Sequence, residues 1–274
     1  MDQTTKGWGS GLVGVVIFSG SLPATRAAVS DFPPLFLTSA RAVIAALLGA
    51  AFLALLRQAR PARGDLASLG IVALGVVIGF PLLTALALQH ITSAHSIVFI
   101  GLLPLATAIF GVLRGGERPK PVFWLFSGLG GAAVAGFALF QSGGGSLLGD
   151  ALMVAAILLC GLGYAEGATL SRRLGGWQVI SWALLVSLPL MAAVALVTMP
   201  GSWNGISGPA WLGLAYVSVF SMLVGFIFWY RGLALGGIAG VGQLQLGSVK
   251  NLGRYAASWI AWWPNRPSSR AALT

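Results

Sequence analysis

The sequence predicts an all-α integral membrane protein, a bundle of several spanning helices. Three observations predict it. Only 16 Lys and Arg and six Asp and Glu occur among 274 residues, and 57% of the chain is hydrophobic. The basic residues gather in short clusters: Arg57, Arg60 and Arg63; Arg114, Arg118 and Lys120; Arg172 and Arg173; Arg231. Residues 66–113 and 174–230 carry no charge, and each run is long enough to cross a bilayer twice at about 20 residues per helix. A core helix in a water-soluble protein keeps a polar face toward solvent; these runs have none.

Charges, prolines and glycines divide the apolar sequence into nine predicted spans. The first, residues 8–24, is too long for a removable signal segment and has no Ala-x-Ala cleavage site. Residues 34–56 follow Pro33 and stop at the Arg57 cluster. Residues 67–88 and 93–113 share the first uncharged run, and 121–140 form a glycine-rich fifth span. Three glycines at 143–145 read as a turn before 147–170, which ends at Arg172 and Arg173. The second uncharged run holds 178–197 and 210–229. A last span, 233–246, starts beyond Arg231.

Lys and Arg concentrate in the cytoplasmic loops of membrane proteins. Lys6 and the even-numbered connections hold ten basic residues, whereas the odd ones hold only Arg26 before the tail. The reading is an inner-membrane, multi-pass protein with a cytoplasmic N-terminus. The net charge of +10 is then a topology signal and a contact with anionic headgroups. Nucleic acid is not implied, because no basic stripe with interleaved aromatics lies outside the spans. Cys160 is the single cysteine and the two His are separated, so no disulfide and no metal site is expected. The 143–145 glycines lack the Gly-Lys-Ser/Thr ending of a phosphate loop, and no cofactor is implied.

Transporters are often built from two related halves of opposite orientation. Ala87-Leu88-Gln89-His90-Ile91 lines up with Ala234-Leu235-Gly236-Gly237-Ile238, and Gly79-Phe80 with Gly225-Phe226. Five spans separate the two sets, and an odd number inverts the second half. Any two apolar helices share matches of this kind by chance as well.

Residues 87–140 say more. Ala87-Leu88 with Ser93-Ala94, an intramembrane Pro104, Gly116-Glu117-Arg118 and the glycines 128, 130, 131 and 136 follow one another. This series closely resembles the EamA-type module of the drug/metabolite transporter superfamily, and Arg41 in Thr38-Ser39-Ala40-Arg41 matches that family's second-helix arginine. The resemblance covers residues 8–246. It implies two inverted five-helix repeats, residues 8–141 and 147–246, with the second incomplete, and transport of small organic metabolites. By the repeat offset, Asn251 stands where a second proline belongs and Pro264 where a second glutamate belongs. Residues 247–274 form an atypical basic tail with Lys250, Arg254, Arg266 and Arg270. A truncated or shifted reading frame would give such a composition change. So would a divergent tail lying in the interface on Trp259, Trp262 and Trp263.

Arg41 and Glu166 sit at membrane depth, where an ionisable group faces a cavity or a partner. Arg41 could bind a substrate carboxylate, or reach back to the headgroups. Glu166 could exchange a proton, or lie near the cytoplasmic surface. Pro104 removes a helical hydrogen bond mid-span and serves either a cavity or a packing kink. Phe80 and Tyr164 are candidates for lining an amphipathic cavity. The leading reading is a secondary transporter, an exporter of amino acids or similar metabolites, working by alternating access without ATP. The alternatives are a non-transporting remnant or assembly partner and, least supported, a membrane enzyme, for which no His, Asp and Glu cluster exists. The partners implied are a small organic substrate, the bilayer and, as an open alternative, a second copy of the chain.

Overall fold

In hydrocarbon every backbone N–H and C=O must find its partner inside the chain, so apolar runs become helices. The structure is a computed structural model and describes residues 2–87, 89–140 and 146–245. Those residues form α1 (Gln3–Ser19), α2 (Ser21–Val29), α3 (Pro34–Leu55), α4 (Asp65–Val72), α5 (Phe80–Ala87), α6 (Ser93–Ile100), α7 (Leu103–Gly115), α8 (Pro121–Phe140), α9 (Leu147–Leu174), α10 (Gly176–Val197), α11 (Gly208–Tyr216), α12 (Gly225–Gly236) and α13 (Ile238–Gly242). Among the described residues seven stretches are long and apolar enough to cross a membrane: Gln3–Val29, Pro34–Leu55, Asp65–Ala87, Val98–Gly115, Leu147–Leu174, Gly176–Val197 and Gly208–Gly236. Their outer faces carry Leu12, Val16, Leu47, Leu113, Leu158, Leu196, Leu212 and Phe220 exposed. A water-soluble surface does not tolerate so much contiguous apolar area; a lipid-facing one requires it.

Two of these stretches contain a π-helical turn, Ala73–Gly79 between α4 and α5 and Val217–Val224 between α11 and α12. A Gly-Phe pair stands at the end of each, Gly79-Phe80 across the end of the first and Gly225-Phe226 just after the second. A Cβ on Gly79 would lie 2.5 Å from the Leu74 oxygen, and one on Gly225 would lie 2.9 Å from the Phe220 oxygen. The wide turn brings the carbonyl five residues back under the glycine, and no other residue fits there.

α9 is the hub, packed against α4, the first π turn, α5, α7, α10 and α12, with Met153, Ala156, Ile157, Cys160, Tyr164 and Ala165 buried. α1 lies along α12, and α3 along α10. The α1–α12 contact is backbone on backbone: a Cβ on Gly7 would sit 2.4 Å from the Gly236 nitrogen. The small-residue spacing of Gly7 and Gly11 thus serves close helix approach.

Two sequence expectations are corrected. The span predicted for 210–229 continues to Gly236, with Arg231 exposed on its surface. A long cationic side chain in the last turns carries its charge outward and leaves the helix intact. The chain breaks at Gly237 (φ 92°), so the following helix starts at Ile238 rather than Leu233. Pro104 does not bend a continuous helix: the α6–α7 stretch is already broken at Gly101 and Leu102, and Pro104 lies in the first turn of α7. There its missing N–H costs nothing. The tail expected at 247–274 lies outside the described residues, as does the 143–145 turn.

Candidate functional site

The connections place Arg57, Arg60, Arg63, Arg118, Lys120, Arg172 and Arg173 together at one end of the bundle, the basic end. Three acids grip it. Asp65 at the start of α4 pairs with Arg173 at the end of α9. Glu166, two turns before the end of α9, receives Arg114 Nε at 2.8 Å, Arg114 Nη2 at 3.1 Å and the Ser68 hydroxyl at 2.6 Å. Its side chain is 7% exposed, whereas Arg114 is 47% exposed. The carboxylate is therefore buried with its bonds made while the guanidinium keeps water, which limits the cost of burying the pair.

The third acid is Glu117. α7 ends at Gly116 in the left-handed conformation (φ 66°), where glycine is at ease. The reversal turns Glu117 back toward α13. Its Oε1 accepts the Ile238 N–H at 2.6 Å and its Oε2 the Ala239 N–H at 2.8 Å, and Arg172 approaches Oε1 at 3.3 Å. Gly237 precedes α13 and offers no side chain to cap it. Hydrogen bonds to a charged group are worth about 1.5–3 kcal/mol each, and a carboxylate at a helix N-terminus gains from the helix dipole as well.

The opposite end has fewer charges. His95 Nε2 meets Asp150 Oδ1 at 2.8 Å, and the Ser207 N–H donates to Asp31 at 2.8 Å. The Ser207 hydroxyl and this N–H hold the Asp31 carboxyl below its ordinary value of 3.8. Between these contacts a groove of about 360 Å³ opens among Pro33, Pro34 and Leu35 of the α3 start, Ala85, Leu86 and Gln89 at the α5 end, and Val197, Thr198 and Met199 at the α10 end.

Arg41 stands beneath that groove. It is six residues inward from Leu35 on α3, level with Phe80, six residues inward from Leu86 on antiparallel α5. Gly49 of α3 touches Ser181 of α10, and eight residues back along both helices Arg41 comes level with Pro189. Arg41 is half-buried, and its Nε is sealed from solvent with no hydrogen-bond partner among the described residues; Thr84 Oγ1 is in the same condition. A buried Nε–H without an acceptor carries a desolvation cost that a hydrogen-bond acceptor placed beside it would relieve.

The comparisons with known proteins bear on the family and the fold. Residues 5–139 match the EamA-like transporter family. A protein of Bacillus subtilis (strain 168) named uncharacterized transporter YdeK is 70% identical over 246 residues, which is 90% of this chain and 86% of the relative. This chain is a member of the EamA-like transporter family. More distant is the uncharacterized inner membrane transporter YedA of Escherichia coli (strain K12), 23% identical over 218 residues, 76% of this chain and 68% of its own. A solved crystal structure covers 97% of this chain and 91% of its own, with 19% identity and a TM-score of 0.73, a likeness of fold. The protein is thus a multi-pass membrane transporter of the EamA type, acting on small molecules in a lipid bilayer.

Not all five site residues expected from the sequence meet. Arg41 and Phe80 share a depth beneath the groove. Pro104 is buried where α7 starts. Tyr164 belongs to an aromatic cluster with Trp229 (5.4 Å between ring centroids) and Phe226 (6.1 Å), its hydroxyl accepting from Gln245 at 3.3 Å. Glu166, two residues further along α9, points to another face and lies in the basic-end contacts. Sequence reasoning missed Arg114 and Ser68 as its companions, and the Asp65–Arg173 pair beside them. One signal was available: the chain has only six acids, and five of them hold a partner from another element.

Proposed function

We propose that the protein is a secondary transporter that exports amino acids or similar small metabolites by alternating access. The observation that carries this reading is the asymmetry of its ends. A groove opens at one end, on the α3 helix that carries Arg41 further inward, while buried acids tie helices together at the other. Such a form is one of the two that alternating access requires. Arg41 binds the substrate's carboxylate, Phe80 flanks it, Glu166 exchanges the coupling proton, and the break before Pro104 with the aromatic cluster around Tyr164 lets the helices shift. The two Gly-Phe π turns, and the matching contacts of α5 with α9 and of α12 with α1, support two inverted repeats. The basic end faces the cytoplasm and the N-terminus lies inside. Export as the direction rests on the family resemblance.

The test is flux of labelled amino acids with purified protein in liposomes, with and without an imposed pH gradient; no flux of any amino acid or related metabolite overturns the reading. Reporters fused after Arg63, Lys120 or Arg173 should report the cytoplasm. A reporter within 143–145 should report the outside, and the reverse pattern would invert the assignment.

A further inference from the structure

The two discontinuities facing opposite ends of the bundle are capped in different ways. At the start of α6 the chain caps itself: Thr92 Oγ1 accepts the His95 N–H at 3.2 Å, an ordinary N-cap. At the start of α13 the N-cap position is Gly237, and the first two N–H groups, of Ile238 and Ala239, are satisfied by Glu117, a residue of the distant α7–α8 connection. Ile238, the first residue of α13, is fully buried and seats on a floor of glycine. A Cβ added to Gly115 would come within 2.6 Å of Ile238 Cδ1, and one on Gly111 within 3.0 Å of its Cγ2. The start of α13 is thus a plug in a slot made by α7, and Glu117 closes over it.

We propose that Glu117 is the latch of the basic-end gate: docked on the Ile238 and Ala239 N–H groups it holds the plug in place, and its release opens that end. The inference rests on the alternating-access reading and adds to it the positioning residue that controls one gate. The latch is built to be reversible. The Glu117 side chain is 17% exposed and Arg172 39%, so water can replace each bond as it breaks. An all-carbon seal would have no such exchange, and a fully buried carboxylate would be left stranded. Gly116 supplies the turn that aims the carboxylate, and Arg172, from the end of α9, ties the latch to the helix that carries Glu166. The latch and the Glu166 contacts are thereby joined through one helix.

The test needs no transported ligand. In a Cys160→Ala background, Ala239→Cys reports on the slot and Ala85→Cys, on the groove lining, on the opposite end. Each is labelled with a charged maleimide on purified protein in nanodiscs. Glu117→Gln keeps the size of the side chain but turns an amide donor toward the donors it should accept. It should speed labelling at Ala239→Cys about tenfold, the weight of a charge-assisted bond, and slow labelling at Ala85→Cys, because the two ends exchange access. Glu117→Asp should fall between. Unchanged labelling at Ala239→Cys overturns the proposal. Faster labelling there with no change at Ala85→Cys also overturns it, since a cap that merely frays moves one end only. Should Glu117→Gln fail to give a monodisperse protein, Arg172→Gln, which leaves the N–H bonds in place, must show the same opposed shifts at smaller size; their absence overturns the proposal equally. Liposome flux of the unmodified protein judges the transporter reading separately from either labelling result.

Discussion

At the basic end Asp65 and Glu166 have side chains 6% and 7% exposed, and each grips a cation on another helix. At the opposite end Asp150 is 31% exposed, Asp31 lies in an exposed connection, and the helices part into a groove. Ionic contacts tie first-half elements to second-half elements at both ends, so the number of bonds does not distinguish them. Burial does. A carboxylate shielded from water holds its partner more strongly than one that water can also serve. The acids are dry at the basic end and wet at the other.

The comparison breaks first at Arg41. Arg41→Ala should abolish flux of an anionic or zwitterionic substrate in liposomes while leaving membrane insertion unchanged; full flux would mean that Arg41 serves the headgroups alone. Glu166 comes next. Glu166→Gln should remove the dependence of flux on an imposed pH gradient yet spare exchange of substrate, since the amide mimics the protonated acid. Glu166→Ala, which leaves Arg114 half-exposed and able to reach water, should cost about 2 kcal/mol in detergent unfolding. A smaller loss is expected for Asp65→Asn, about 1 kcal/mol or less, because Arg173 stays largely in solvent. The smallest effect belongs to Asp31. Its folded value is depressed by Ser207, so its contribution is whole at neutral pH and fades as pH falls below about 4. Asp31→Asn should flatten that acid limb of thermal stability and leave neutral-pH flux as it was.

Most of the fold was legible because charge-free length is a coarse signal that nothing local overrides. The runs 66–113 and 174–230 had to double back within the bilayer, and the turns fall between the spans expected at 67–88 and 93–113 and at 178–197 and 210–229. What misled was a single charge: Arg231 reads as a loop, but a side chain that extends outward lets α12 run on to Gly236. The site was legible by depth and not by direction. Arg41 and Glu166 were recognisable as ionisable groups within spans. Sequence spacing does not say which way a helix is rotated against its neighbours, so neither the Arg114–Glu166 bond nor the separation of Tyr164 from Glu166 followed from it. Gly116-Glu117 was visible as a family motif, and its work became plain only once α13 lay beside it.

The π turns carry a consequence for helix phase. Each residue of an α-helix advances by about 100°, and a turn closed by a bond from N–H to the carbonyl five residues back, as Phe80 to Gly75 and Gly225 to Phe220 do here, holds one residue too many for that count. Everything beyond it is turned by that amount relative to an uninterrupted helix: Pro81 and Thr84 past the first, Trp229 and Arg231 past the second. The surplus residue therefore sets which side chains look inward and which meet lipid along the far half of each rod. Were a state change to let the surplus slip along the helix by a turn, the residues it passed would swing round while the backbone stayed bonded throughout. Two such rods, one in each half of the chain, would then re-aim their side chains by rotation, with no need to break either helix.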